Sequence, residues 1–190
     1  TIARLQAAGR WEDAAQVLAR EAGALQAAGA DLLLLCTNTM HKVADQIQQA
    51  VDIPLIHIVD ATAVAAQRAG ASRVGLLATR FTMEQRFYRD RMAAHGLDVV
   101  VPDPSARELV HRVIYEELCR GIFTAASRTM VSGVIAGLVE CGAEAVILGC
   151  TEIELLIGQG DSPVPVLPTT KLHAAAAIEA ALGLSQGPGR

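Results

Sequence analysis

Aromatic side chains are scarce in this sequence: three Phe, two Tyr and one Trp in 190 residues. A core must therefore be packed from Ala, Leu, Val and Ile. With 52% of the chain hydrophobic there are enough of them, and such a composition suits helices closing over a parallel sheet. Basic clusters are lacking as well. A formal net charge of −4 without a run of Lys or Arg leaves no electrostatic footprint for nucleic acid or an anionic membrane surface. No apolar run reaches the length of a membrane span. The four cysteines, Cys36, Cys119, Cys141 and Cys150, show no C-x-x-C spacing and have no matching histidine pairs. Zinc-site and disulfide frameworks lose their support, and free thiols fit a reducing, cytoplasmic setting. The length allows one ordinary domain or two small ones.

What is present centres on Asp31-Leu-Leu-Leu-Leu-Cys36-Thr37-Asn38-Thr39-Met40-His41-Lys42. Four leucines in a row read as a strand, Leu32–Cys36, buried on both faces. From Met40 to Ala50, Val43, Ile47 and Ala50 recur at helical spacing, so Thr37, Asn38 and Thr39 sit where a strand hands over to a helix. The carboxyl end of a strand is where open α/β sheets bind ligands. A thiol beside a helix N-terminus also has a physical reason for reactivity. A single strand-end cysteine is equally well a small buried hydrophobe. Here there are two. Gly29-Ala30-Asp31, four leucines and Cys36-Thr37-Asn38 are echoed by Gly142-Ala143-Glu144, Ala145-Val146-Ile147-Leu148, Gly149 and Cys150-Thr151-Glu152. Pro54-Leu55-Ile56 and an Ala-rich helix are likewise echoed by Pro165-Val166-Leu167 and the Ala-rich run from Ala174. The chain is an internal duplication with Cys-Thr at the same structural point of each half.

Along the chain, helix is expected over Trp11–Ala28, with Ala14, Val17, Leu18, Leu25 and Ala28 inward and Gly29 closing it. Strand Leu55–Ile58 and a short helix Ala61–Ala69 follow. Strand Arg73–Thr79 starts the second half, and Thr82-x-x-Gln85 and Ser105-x-x-Glu108 fit capping boxes for the next two helices. Strand Leu97–Val101 lies between those helices, and the second helix runs to Arg120 with Val110, Val113, Ile114 and Leu118 inward. Helix Ser127–Cys141, strand Ala145–Leu148, a short strand at Val166-Leu167 and a helix Leu172–Leu182 complete the pattern. The second half carries two strands before its cysteine strand and the first half none, so the duplication predicts about one βαβ unit upstream of Thr1.

Cys36-Thr-Asn-Thr-Met-His41 and Leu148-Gly-Cys-Thr-Glu152, with the cysteines 114 residues apart, resemble the paired cysteine motifs of the aspartate/glutamate racemase family. The resemblance covers about Leu5 to Leu182. It implies two pseudo-symmetric flavodoxin-like lobes, α/β with parallel sheets, and an active-site cleft between them. The first lobe would be residues 1–70 joined by a C-terminal helix at 168–184, the second 71–167, with 185–190 a tail. The implied activity is racemisation of an amino acid, aspartate or a similar small polar one, without pyridoxal phosphate, metal or other cofactor. The partner is then a small-molecule substrate, with a homodimer compatible with the pattern. Hydantoin racemase and maleate isomerase types share the scaffold, as does the one-cysteine arylmalonate decarboxylase type. A non-catalytic amino-acid-binding protein and a thiol redox protein are readings of a different class.

Racemisation removes an α-proton from one face and returns one to the other, most simply with two groups on opposite faces. Cys36 and Cys150 are the candidates for base and conjugate acid; inert strand-end thiols are the alternative. Thr37, Asn38, Thr39 and Thr151 can hold the substrate's carboxylate and ammonium, or merely cap helices. Glu152 can orient the ammonium, tune Cys150, or sit in a first helical turn for its dipole. Thr79 and Thr82 lie at another strand's carboxyl end. Arg120 resembles a basic residue that some family members use for a distal carboxylate, and equally a cation at a helix C-terminus. His41 reads as a helix-face residue, Cys119 and Cys141 as structural. Pro168 replaces a polar or acidic strand end.

Overall fold

The structure, a computed structural model, describes residues 1–183; the tail expected at 185–190 lies outside the described residues. Two parallel sheets organise it. In the smaller, β1 (Leu33–Leu34) pairs with β2 (Leu55–Ile56), Leu33 opposite Leu55. In the larger, β3 (Arg73–Ala78) and β5 (Ala145–Gly149) form the centre, flanked by β4 (Asp98–Val100) and β6 (Val166–Pro168) in the order β4-β3-β5-β6. Every strand pair is parallel, so each connection carries helix, as sheets of this kind require.

Before the first sheet come α1 (Ile2–Ala7) and α2 (Trp11–Ala27). After β1 the chain makes a 3-10 turn (Thr39–Val43) and α3 (Ala44–Gln49), and α4 (Ile58–Arg68) follows β2. Around the second sheet lie α5 (Arg80–Glu84), α6 (Arg86–Ala94), α7 (Pro104–Arg112), α8 (Ala125–Glu140), α9 (Ile153–Leu156) and α10 (Thr169–Ala181). None of the described helices is long and apolar enough to cross a membrane. The central strands β3 and β5 are covered on both faces, and Leu76, Leu77, Val146 and Ile147 are wholly buried. Ile58, Val59, Ala63 and Ala66 of α4 belong to this same large core, and α10 packs along α4. A second, smaller core joins Ala15, Ala22, Leu33, Val43, Ile47 and Val51.

Several local expectations are corrected. The leucine strand is short, and only Leu33 is fully buried while Leu34 and Leu35 are half-buried. The expected helix from Met40 is split where Val43 leaves helical geometry (φ −114°, ψ 19°). On α2 the buried stripe is Ala14, Ala15 and Ala22, leaving Leu25 54% exposed. Neither capping box forms. α5 begins at Arg80, so Thr82 lies inside it, and extended Gln85 separates α5 from α6. α7 is capped by Asp103, whose Oδ1 accepts from the Ser105 and Ala106 backbone N–H groups at 2.8 and 3.0 Å, with Pro104 as first helical residue. A carboxylate two residues earlier outcompetes the Ser105 hydroxyl.

Candidate active site

Strand ends converge here. Cys36 lies just beyond β1, Thr79 follows β3 and Cys150 follows β5. Gly149 makes the last juxtaposition close: a Cβ there would stand 2.9 Å from Leu76 Cδ1 and 3.1 Å from Ala78 Cβ. The resulting cavity, about 240 Å3, is lined by Cys36, Thr37, Asn38, Thr39, Thr79, Gly149, Cys150, Thr151 and Glu152, together with Gln6, Ile114, Tyr115 and Cys119. Two cavities of larger volume, about 350 Å3 between β2, α4 and α10 and about 400 Å3 beside α8, hold no pair of cysteines.

The two thiols sit in unlike surroundings. Cys36 is exposed, with only a long contact from Sγ to the Leu34 carbonyl at 3.9 Å. Cys150 is buried and donates to Glu152 Oε2 at 3.0 Å; the Thr151 hydroxyl donates to the same oxygen at 2.6 Å. Burial, reinforced by the Glu152 hydrogen bond and charge, pushes the Cys150 thiol far above its ordinary range. Desolvation opposes the charge on Glu152, yet the hydrogen bonds from Thr151 and Cys150 hold it below the usual carboxylate range. The resting pair is thus a thiol beside a carboxylate. Burial and the Glu152 charge raise Cys119 as well.

Polar groups from both sheets complete the wall. Asn38 Nδ2 donates to Thr169 Oγ1 at 3.0 Å, and that hydroxyl donates to the Leu148 carbonyl at 2.8 Å. Because Thr169 spends its proton on Leu148, Asn38 must offer its NH2 there, and its buried Oδ1 has no partner among the described residues. Thr39, Thr79 and Thr82 form a triangle of hydroxyls with sides of 3.0, 3.1 and 3.3 Å, tying the turn after β1 to the end of β3. Among the described lining residues Glu152 is the sole carboxylate, and there is no Lys, Arg or His.

Of the residues singled out from sequence, eight line the cavity: Cys36, Thr37, Asn38, Thr39, Thr79, Cys150, Thr151 and Glu152. Thr82 stands behind it in the hydroxyl triangle, and Arg120 is exposed and outside the lining. Sequence reading missed Gln6 and Tyr115, and it took Cys119, which also lines the cavity, as structural. The stretch after α7 opens into a π-helical turn (Val113–Glu117) and then a 3-10 turn (Leu118–Arg120) closed by Gly121 at φ +73°. The changed winding leaves Tyr115 and Cys119 at the cavity, where Gln6 Nε2 donates to the Tyr115 hydroxyl at 3.2 Å.

The family model described as Asp/Glu/Hydantoin racemase matches residues 2–177. The chain belongs to the Asp/Glu/hydantoin racemase family. It is similar to the crystal structure of a candidate Asp/Glu racemase from Yersinia pestis, 51% identical, covering 95% of this chain and 79% of that one, TM-score 0.89. It is also similar to an aspartate racemase homologue from Pyrococcus horikoshii OT3, 38% identical over 90% of this chain and 76% of that one, TM-score 0.82. A glutamate racemase of Roseiflexus sp. (strain RS-1) is 28% identical over 71% of this chain, which spans about half of it (49%). The two-lobed α/β arrangement with parallel sheets, expected from the resemblance, is the family's fold.

Proposed function

We propose that this chain racemises a small amino acid by passing protons between Cys36 and Cys150 on opposite faces of the α-carbon. The observation that carries this reading is that one cavity is lined by both strand-end cysteines. In one direction the Cys36 thiolate takes the α-proton, and the Cys150 thiol, held protonated by burial and Glu152, gives its proton to the other face. In the reverse direction the Cys150 thiolate that this step leaves takes the proton back, and the Cys36 thiol returns one to its own face; Glu152 Oε2 stands 3.0 Å from the Cys150 sulfur. No step of this scheme needs a cofactor.

The substrate's ammonium suits the unpartnered Asn38 Oδ1, and its carboxylate suits the Thr39 and Thr79 hydroxyls with the Thr151 region. The reading favours aspartate or a similar small polar amino acid, with Arg120 reaching a distal carboxylate from outside the lining. A second reading has a specific observation behind it. The described lining holds no cation, which suits a neutral cyclic substrate such as a 5-substituted hydantoin, whose ring carbon also carries an acidic hydrogen. The deciding experiment is α-proton exchange in D2O followed by NMR, with L- and D-amino acids beside L- and D-hydantoins. Exchange of both enantiomers of aspartate, weakened by Arg120→Ala, is the expected result. Exchange confined to hydantoins selects the second reading, and no exchange with any of them defeats both.

A further inference from the structure

The Cys36 side chain has little of its own to hold it in place, so its orientation depends on the backbone around it. The Thr37 N–H donates to the Leu35 carbonyl at 2.7 Å, a three-residue turn with Cys36 at its tip. Next, the Thr37 carbonyl meets His41 Nδ1 at 2.7 Å. The other ring nitrogen, Nε2, lies 3.1 Å from the Ile58 N–H at the start of α4. A carbonyl can only accept and a backbone N–H can only donate, so the tautomer follows: Nδ1 carries the hydrogen and Nε2 is the acceptor. The ring is 4% exposed and lies outside the cavity lining. It packs edge-on against His57 (centroids 4.4 Å) and nearer to it than to His173 (5.9 Å). Those two rings are themselves fixed. His57 Nδ1 accepts the Val59 N–H at 3.2 Å, and His173 donates to the Ile56 carbonyl at 2.6 Å.

We propose that His41 is a positioning residue for Cys36: a neutral imidazole strut that braces the Thr37 carbonyl against the N-terminus of α4 and so aims the Cys36 thiol into the cavity. Both ring nitrogens are committed, so His41 exchanges no proton with substrate. Burial and the neighbouring His57 keep it neutral, with its pKa lowered to about 3. Among the described residues Cys150 makes no hydrogen bond to His41 or Thr37, and β5 and Glu152 hold it directly. The effect of His41 is therefore one-sided, and in that respect the inference rests on the two-thiol reading above.

The test compares two polar substitutions in the full chain. His41→Asn keeps a donor near the Nδ1 position facing Thr37; His41→Gln reaches toward the Nε2 position and gives up the Thr37 bond. The readout is D2O wash-out of each enantiomer separately, with Cys36→Ser identifying the enantiomer that Cys36 deprotonates. For a small misplacement of a reacting group, His41→Gln should slow that enantiomer by about tenfold or more while the other changes by less than about twofold, and His41→Asn should restore it. Peptide-level alkylation by iodoacetamide gives a second readout that does not need turnover. In His41→Gln the Cys36 rate should change while the Cys119 and Cys141 rates stay as in the wild-type protein. Wild-type protein exchanging neither enantiomer would defeat the two-thiol reading, and the alkylation result would then decide the strut by itself. Proportional loss for both enantiomers in folded His41→Gln, or an unchanged Cys36 alkylation rate, overturns the proposal.

Discussion

At the scale of single residues, the unlike surroundings of the two thiols make their roles separable. In the proposed two-thiol scheme each enantiomer needs its own face deprotonated, so a complete turnover uses both. Cys36→Ser and Cys150→Ser should each abolish racemisation, because a serine hydroxyl is a far weaker acid than a thiol. Each variant should still wash out the α-proton of the one enantiomer facing its remaining thiol, giving opposite preferences in D2O. Racemisation at the wild-type rate in either would remove that cysteine from the scheme. Glu152→Gln makes a sharper demand. It deletes the carboxylate charge, which with its hydrogen bond ranks behind burial among the causes that raise Cys150. The Cys150 pKa should therefore fall but stay above the ordinary thiol range, since the burial remains. The pH profile of Cys150 alkylation checks this, and an unmoved profile would mean that Glu152 does not tune the thiol.

At the scale of elements, what could be read from sequence was whatever rests on runs and repeats. The two apolar runs leading to Cys-Thr marked the ends of β1 and β5 to within two residues, because a strand end is a local event. Eight lining residues followed from those two points and from the strand end at Thr79. Tyr115 and Cys119 did not follow, because a 3.6-residue period cannot announce a π-helical turn, and one added residue per turn changes which side chains face the site. The caps failed for another reason: a capping pattern shows that hydroxyl and carboxylate are present, but not which nearby group competes for the same N–H donors. Asp103 won at α7, and Thr82 was drawn instead into contacts with Thr39 and Thr79. Gly149 belongs to this scale too, since its missing side chain lets β5 lie against β3. Gly149→Ala forces Leu76 and Ala78 to shift and should cost about 1–3 kcal/mol, the usual range for overpacking. Denaturant unfolding measures the cost, and a loss below about 0.5 kcal/mol would show that the strands yield freely.

The whole molecule hangs together through a region the sequence left unmarked. His41, His57 and His173 come from the turn after β1, the residue before α4, and α10, and they meet beside the junction of the two sheets. Burial lowers all three, His41 to about 3 and His57 to about 4. A histidine whose pKa is depressed by folding stabilises the protein fully above its ordinary value near 6.5. That contribution is lost as pH falls through the folded value. Melting temperature should accordingly hold above pH 7 and decline from about pH 6.5 downward, with roughly 3 kcal/mol lost to His41 alone by pH 4. Asp60, clamped by Arg91 at 2.6 and 2.7 Å and by His95 at 2.9 Å, has its pKa lowered to about 2. Its share disappears only below the ordinary carboxylate range, so it does not contribute to the decline above pH 4. A melt that stays level from pH 7 to 4 would contradict this account. Sequence inspection gave no sign of the cluster, since three histidines at 41, 57 and 173 have no common period and only the folded arrangement brings them together.

The triangle of Thr39, Thr79 and Thr82 has three oxygens, three mobile hydrogens and three sides within hydrogen-bonding reach. Either oxygen of each pair can be the donor, so the hydrogens can run around such a ring clockwise or anticlockwise, and reversing them moves no heavy atom. A hydroxyl can also turn its hydrogen outward. The wall of the cavity is therefore not fixed as donor or acceptor. It takes its polarity from what arrives: an anion draws hydrogens toward itself, a cation turns lone pairs toward it. A rigid scaffold thereby gains a small reorientable dipole, and adapting to a new guest costs a rotation about a C–O bond rather than a rearrangement of the chain.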